Sequence, residues 1–282
     1  MSRTADGDFL ATLSREVWLL EVLLLAVVPI ILGSVALLPV AQEGLVFQRE
    51  SPTLLAAYTA YFVHFDAAHL LGNVATYLAV VPVAYLLAVL SGRRQLFWTA
   101  WLTLLVAFPF ALSAMQLSFP DARTLLGFSG INAGFVGLLC FLVVSYAGTT
   151  LAAGIEERDA PALLFWTVGL ISWVTLPPRA WRVELAALAV CTGLAYLASA
   201  LSRVGLPTRA GIRAAVTRPG YAELAVAGLC VLLAYPFLGF GARTSLVTAN
   251  GVFDVYIHLL GYCLAFIVVY VFVIGVEQGT LQ

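Results

Sequence analysis

Long apolar runs separated by short polar segments make up most of the chain. Eight such runs cover residues 17–40, 66–90, 95–118, 125–149, 161–177, 183–201, 221–240 and 251–277. Each is close to the ~20 residues that an α-helix needs to cross the hydrocarbon core of a bilayer. The pattern therefore predicts an all-α polytopic membrane protein with about eight transmembrane helices.

Composition supports this prediction and excludes other classes. Of the 282 residues, 62% are hydrophobic and 10% are charged, with a mean hydropathy of +1.00; soluble domains carry roughly 25% charged residues. The net charge of −1 and the lack of a basic run argue against a nucleic-acid partner. The four cysteines lie inside apolar runs, which is typical of small packing residues.

The distribution of arginine predicts the orientation. The polar segment 1–16 precedes an apolar run longer than the roughly 7–15 residues of a signal-peptide core, so we expect a retained helix. With the N-terminus inside, nine of the 14 arginines fall in inner segments and five in outer segments, as the positive-inside rule requires. We expect a cytoplasmic N-terminal segment (1–16), a transmembrane domain (17–277) with a long outer loop at about 41–65, and a cytoplasmic tail (278–282). The lack of a transit peptide favours a prokaryotic plasma membrane.

A few polar side chains interrupt the apolar spans at matched depth. In this topology His69, Asn73, Ser129 and His258 all fall in the outer half of the membrane. Polar groups in spans are functional candidates because burying them is costly. A serine hydroxyl becomes nucleophilic when a neighbouring base takes its proton, and imidazole supplies such a base near neutral pH. This set therefore predicts nucleophilic catalysis.

Two further features support that chemistry. The His69 ring, the Asn73 amide and the backbone N–H at the start of the Ser129 helix could donate hydrogen bonds to an oxyanion. Small residues recur along both helices that would carry the serine and the histidine: Gly130, Gly134 and Gly137 on one, and Gly261 and Ala265 on the other. Such faces let membrane helices approach closely.

The motifs resemble those of the rhomboid family of intramembrane serine proteases. They stand here as His64-x4-His69-x3-Asn73, as Gly127-Phe128-Ser129-Gly130, and as His258 followed by Gly261. The resemblance implies a rhomboid-like helical bundle in which Ser129 is the nucleophile, His258 the base, and His69 and Asn73 the oxyanion helpers. It implies cleavage of transmembrane protein substrates near the outer face, with no metal or cofactor. Neither the motifs nor the pattern indicates an oligomeric state.

The chain departs from the family pattern in two places that concern the site. Three spans separate the serine and histidine helices, where a six-helix core has one. Some family members carry an aromatic residue four positions after the serine, where this chain has Ala133. Asp254, one turn before His258, is a candidate orienter of the imidazole, and residues 241–250 are a candidate cap over the site.

Other interpretations of the same residues stay open. Ser129 could be a packing residue, His258 an interior histidine, and His69 and Asn73 a helix cap; His64 is expected to hold the outer loop against the helix start. Asn132 could donate in the site or bond a carbonyl across helices. The alternative functions are a non-proteolytic rhomboid-like adaptor or chaperone that binds transmembrane helices, and a small-solute transporter. Three glutamates near span ends are expected to reach water: Glu21, Glu184 and Glu223.

Overall fold

The computed structural model describes residues 9–38, 43–118, 124–125, 127–151, 154–176, 180–205, 213, 218–240 and 249–279. Within these residues the chain forms eleven α-helices, joined by three short 3-10 turns and one pair of two-residue strands. The helices are α1 (Phe9–Glu16), α2 (Leu19–Ala36), α3 (Leu54–Thr59), α4 (Ala67–Leu90), α5 (Arg94–Val106), α6 (Phe108–Gln116), α7 (Ser129–Thr149), α8 (Ala160–Thr175), α9 (Ala180–Val204), α10 (Tyr221–Leu238) and α11 (Ala249–Gly279). The strands are β1 (Phe47–Gln48) and β2 (Thr124–Leu125).

Six of these helices, α2, α4, α7, α9, α10 and α11, are long and apolar enough to cross a membrane. The pair α5 and α6, bent by about 40° at its break, adds a seventh if it is one span. Helix α8, with 16 residues, is shorter than each of these six helices. The prediction of an all-α, multi-pass membrane protein is confirmed at this level.

Helix α7 is the centre of the bundle. Its span is 94% buried inside the protein, whereas the spans of α2 and α9 are each 22% buried. Helix α11 packs along one side of α7 and α4 along another. Large aromatic side chains of α7, Phe135 and Phe141, are fully buried in this core. Because α7 begins at Ser129, the candidate nucleophile stands at one end of the most buried helix in the described structure.

Glycines bring α7 and α11 into backbone contact. A Cβ on Gly137 would lie well within 3.0 Å of the carbonyl oxygen of Tyr262, and a Cβ on Gly261 would lie equally close to that of Gly130. Only a residue without a side chain allows this approach. Gly134 differs from the expectation, because it faces Leu104 and Phe108 of the bent pair and not α11.

The helices between α7 and α11 divide into two groups. Helices α8 and α9 pack chiefly against each other as a hairpin at the side of the bundle, with contacts to α7 and α10. Helix α10 packs against both α4 and α7. Helix α9 is therefore the outer member of the hairpin, whereas α8 and α10 both pack against α7.

The expectation that Glu21 reaches water is wrong, although Glu184 and Glu223 are exposed. Glu21 is 6% exposed and accepts hydrogen bonds from three side chains: Arg94 (2.6 Å), the Trp98 indole (2.8 Å) and the Tyr85 hydroxyl. A buried carboxylate is tolerated when charged and polar donors replace its water. These donors come from two other helices, so the residues around Glu21 in the sequence carried no sign of them.

We expect Gly137→Ala to destabilise the protein, because its methyl group would collide with the Tyr262 carbonyl. Overpacking of this kind costs about 1–3 kcal/mol when neighbours can shift, and more against backbone. Gly275→Ala on α11 is the matched control, since a Cβ at Gly275 would meet no atom within 4 Å. Thermal unfolding in detergent measures both, and equal melting temperatures for the two variants would contradict the backbone contact.

Candidate functional site

The sequence-predicted polar residues converge at one end of the bundle. Asp66 caps α4 by accepting the His69 backbone N–H at 2.7 Å, which sets the start of the helix that carries His69 and Asn73. Strands β1 and β2 pair antiparallel, with Phe47 opposite Leu125. This pair ties the loop before α3 to the segment that leads into Ser129.

Gly127 shapes the turn into α7. Its φ of +97° lies in a region that side chains disfavour. Its N–H donates to the Ala60 carbonyl at 3.0 Å. A Cβ there would lie 2.5 Å from Cε1 of His69, so the His69 ring packs directly on the backbone of the serine motif.

His64 links the outer loop to both helices. Its Nε2 accepts from the Phe128 N–H at 3.3 Å and from Nδ2 of Asn73 at 3.0 Å, and its Nδ1 lies 3.3 Å from the Phe62 carbonyl. These partners require the neutral ring with its hydrogen on Nδ1. Burial, with a smaller contribution from His69, lowers the pKa of His64 to about 4. His64 thus has the structural position that the sequence favoured.

The Asn73 amide is fully used within the protein. Besides His64, its Nδ2 donates to the His69 carbonyl at 3.2 Å. Its Oδ1 accepts from Nδ2 of Asn132 at 3.1 Å, and Asn132 also donates to the Asn73 carbonyl at 3.0 Å. Asn132 therefore bonds across helices, which decides between its two possible roles. Both amide hydrogens of Asn73 have acceptors in this arrangement, Nε2 of His64 and the His69 carbonyl.

Ser129 is the first residue of α7 and is partly exposed. Backbone N–H groups in a first helical turn lack intrahelical acceptors and carry the positive end of the helix dipole. Within the described residues no hydrogen bond joins the Ser129 hydroxyl to His258. The hydroxyl therefore stands at a site suited to negative charge.

His258 lies one turn before Gly261, whose backbone packs against the carbonyl of Gly130. This packing brings its turn of α11 beside the first turn of α7. Nδ1 of His258 is buried and has no hydrogen-bond partner in the described part of the chain. The ring also lies near the Gly239 backbone, and it is close enough to His69 for the two imidazoles to interact electrostatically.

Phe240, which the sequence did not single out, packs against His258. The two rings are 5.8 Å apart and nearly perpendicular, at 88°, and Phe240 is 2% exposed. The side chain of Ala133 instead faces Gly261, and its small size permits the helix contact there. The aromatic neighbour of His258 thus lies just after the end of α10. Comparing the residues that follow Ser129 with the family motif could not reveal it.

Two predicted elements of the site lie outside the described residues. The side chain of Asp254 lies outside the described part of the structure, as do residues 241–248 of the predicted cap. Among the residues that are described, no group of three or more His, Cys, Asp or Glu could hold a metal ion. The His64 and His69 rings are 5.0 Å apart and edge-on, but both nitrogens of His64 already face partners.

Comparison of the chain with protein-family models, curated proteins and solved structures finds no match. Acyl transfer requires at minimum a serine and a base; here the serine begins a helix, and the adjacent turn of α11 carries an imidazole whose Nδ1 has no partner among the described residues.

We expect His64 to make the stability of the protein depend on pH. Its native pKa of about 4 lies below the ordinary value of about 6.5, so the unfolded chain binds more protons between these values. Its contribution to stability is complete above about pH 6.5 and is lost as the pH falls toward 4. Melting temperatures measured across this range should fall on acidification, and those of His64→Gln should fall less steeply.

Gln48→Ala is the control for that experiment, because Gln48 is an exposed residue of the outer loop that does not titrate. The melting temperature of this variant should fall with decreasing pH as steeply as that of the wild-type protein. A His64→Gln protein with an unchanged slope would show that His64 is not the titrating group.

Proposed function

We propose that the protein is a rhomboid-like intramembrane serine endopeptidase that cuts transmembrane protein substrates near the membrane face where Ser129 lies. We further propose that the N-terminus is cytoplasmic in a prokaryotic plasma membrane, which makes this the outer face. The observation that carries the proposal is the position of His258, whose buried Nδ1 has no partner among the described residues, beside the helix turn that begins at Ser129.

In the proposed reaction the Ser129 hydroxyl attacks the carbonyl carbon of the scissile bond while His258 takes its proton. The tetrahedral intermediate collapses to an acyl-enzyme as the amine leaves with the proton from His258. Water, activated by His258 in turn, releases the carboxylate product and restores the serine. Proton transfer requires the Ser129 hydroxyl and the His258 ring to come within hydrogen-bond distance. Hydrogen bonds in resting active sites often tighten only when substrate is bound.

The oxyanion would be held chiefly by the N-terminus of α7 and by the His69 ring. The first turn supplies backbone N–H groups, and the exposed His69 ring lies on Gly127, two residues before the serine. Asn73 could add a donor only by releasing His64 or the His69 carbonyl. In this proposal Asn73 mainly positions His69 and α7.

The arrangement of helices also supports a rhomboid-like core. Helices α2, α4, the α5–α6 pair, α7, α10 and α11 form a set of six in which only α10 lies between the serine and histidine helices. The α8–α9 hairpin packs at the side, so it accounts for the two extra spans. A substrate helix would enter from the lipid and unwind locally, because a helix with all its backbone hydrogen bonds made protects its peptide bonds.

We expect a fluorophosphonate probe to label the purified protein at Ser129. Ser129→Ala should abolish labelling, and His258→Ala should reduce it at least ~100-fold because the serine loses its base. Ser202→Ala is the matched control, since this exposed serine bonds only its own helix. Co-expression with a reporter that carries a transmembrane helix should show the same dependence on Ser129.

A folded protein that neither labels nor cleaves the reporter would contradict the protease proposal. It would favour the non-proteolytic adaptor or chaperone, for which the fully hydrogen-bonded Asn73 amide is the supporting observation. Binding of a transmembrane helix by the Ser129→Ala protein separates these outcomes from a misfolded sample.

We expect Phe240 to position the His258 ring. Phe240→Ala should slow labelling about 10-fold, whereas Phe240→Leu, which keeps a large apolar group, should slow it less. Phe237→Ala is the control, because Phe237 lies one turn earlier on α10 and is 59% exposed. If Phe240→Ala labels at the wild-type rate while the melting temperature is unchanged, Phe240 has no part in orienting the base.

Asp254→Asn tests the predicted orienter. If the carboxylate orients His258, the substitution should slow cleavage and shift the pH profile of labelling. Unchanged cleavage would remove Asp254 from the proposed site.

A further inference from the structure

A cavity lies at the opposite end of α7 from Ser129. It has a volume of ≈ 680 Å³ and is lined by the last turns of α7, the segment 155–158, Arg93 and the α11 residues Tyr270 and Ile274. Ser145, on its wall, is sixteen residues along α7 from Ser129, or about 24 Å. The cavity is therefore separate from the candidate active site and lies near the other boundary of the hydrocarbon core.

The cavity wall presents both signs of charge. Arg93 forms a bidentate ion pair with Glu157, and the Glu157 carboxylate also accepts a hydrogen bond from the Ser145 hydroxyl. Arg158 pairs with Glu156, with Nε 2.5 Å from Oε2, and Nη1 of Arg203 lies 3.6 Å from the same oxygen. The Glu156 side chain also accepts the backbone N–H of Asp159. The Glu157 side chain is 7% exposed, but those of Arg158 and Glu156 are each 53% exposed. The inner pair thus builds the wall, whereas the outer pair offers charged atoms to a ligand.

This balance of charge selects the class of ligand. A simple anion would be repelled by the two carboxylates, and a simple cation by the two guanidinium groups. A zwitterion with a phosphate and a primary ammonium satisfies both signs, because guanidinium groups bind phosphate well and an ammonium can donate to a carboxylate. The Thr149 hydroxyl and the Tyr270 ring complete a lining of polar and amphipathic groups.

An apolar cleft begins one turn of α5 beyond Arg93. It runs between α5, α7 and α11, and its walls include Leu96, Ala100, Leu138, Val269 and Phe272. The polar cavity shares α7 and α11 with this cleft and borders α5 at Arg93. A polar chamber at headgroup depth beside an apolar cleft matches the two parts of a phospholipid.

We propose that this cavity binds phosphatidylethanolamine from the leaflet opposite the active site. The phosphate lies against Arg158 and the exposed edge of Arg93, the ammonium donates to Glu156, and an acyl chain occupies the cleft along α5. The Arg158–Glu156 pair opens to admit the headgroup, because an ion pair this exposed contributes little to stability.

Native mass spectrometry of the delipidated protein in detergent tests the proposal. Phosphatidylethanolamine, its N,N-dimethyl form and phosphatidylcholine, with identical acyl chains, are added separately. The fraction of protein that retains a bound lipid should fall along this series by at least ~5-fold overall. Each methyl group removes an N–H that would donate to Glu156. Equal retention of the three lipids would overturn the proposal.

Two variants separate the roles of the charges. Glu156→Gln should abolish the preference for the ethanolamine lipid over the choline lipid. Arg158→Ala should weaken the binding of both lipids about 10-fold, because the phosphate contact is lost. Arg15→Ala is the matched control, because Arg15 is also an exposed arginine paired with a nearby glutamate. Melting temperatures without lipid confirm the fold, and wild-type binding by Glu156→Gln and Arg158→Ala would refute the site.

The source of the headgroup is tested by competition with glycerophosphoethanolamine, which has no acyl chains. It should compete weakly, because the cleft contributes nothing to its binding. Full competition at equal concentration would identify a soluble ligand in place of a lipid and overturn the proposal. Serine labelling by the probe should be unchanged in Glu156→Gln and Arg158→Ala, so this result stands apart from the protease proposal.

Discussion

The backbone contact between α7 and α11 is the constraint on which the rest of the structure depends. Gly137 and Gly261 place each helix against a carbonyl of the other, at a distance that no side chain permits. Apolar residues in a bilayer gain little by leaving lipid, so close packing of this kind is what holds membrane helices together. The same contact sets His258 beside the turn that begins at Ser129.

Most polar groups buried near the two ends of the bundle are matched by donors or acceptors from other segments. His64 and Asn73 join the outer loop, α4 and α7 at one end, and Glu21 joins α2 to α4 and α5 at the other. In a membrane interior an unmatched polar group is costly, so such networks fix the register of the helices. Two buried atoms at the candidate site are exceptions, because neither Oδ1 of Asn132 nor Nδ1 of His258 has a partner among the described residues.

The helical class and the residues of the candidate site could be predicted from the sequence, because both leave a local signal. Apolar runs of bilayer length identify spans whatever packs around them. The order of His69, Ser129 and His258 with flanking glycines indicated which spans must meet. The hydrogen bonds of Asn73 were not predictable in the same way, since the Asn132 amide that donates to its Oδ1 comes from a helix more than fifty residues away.

The sequence by itself thus determined that the chain crosses a membrane several times and which polar side chains it carries there, because hydrophobic length and residue identity are properties of single segments. Only the tertiary structure decided which segments touch. It paired α8 with α9 as a hairpin, brought Phe240 to the histidine ring, buried Glu21 and formed the charged cavity at the far end of α7. Each of these depends on contacts between residues far apart in the chain, and packing geometry alone selects them.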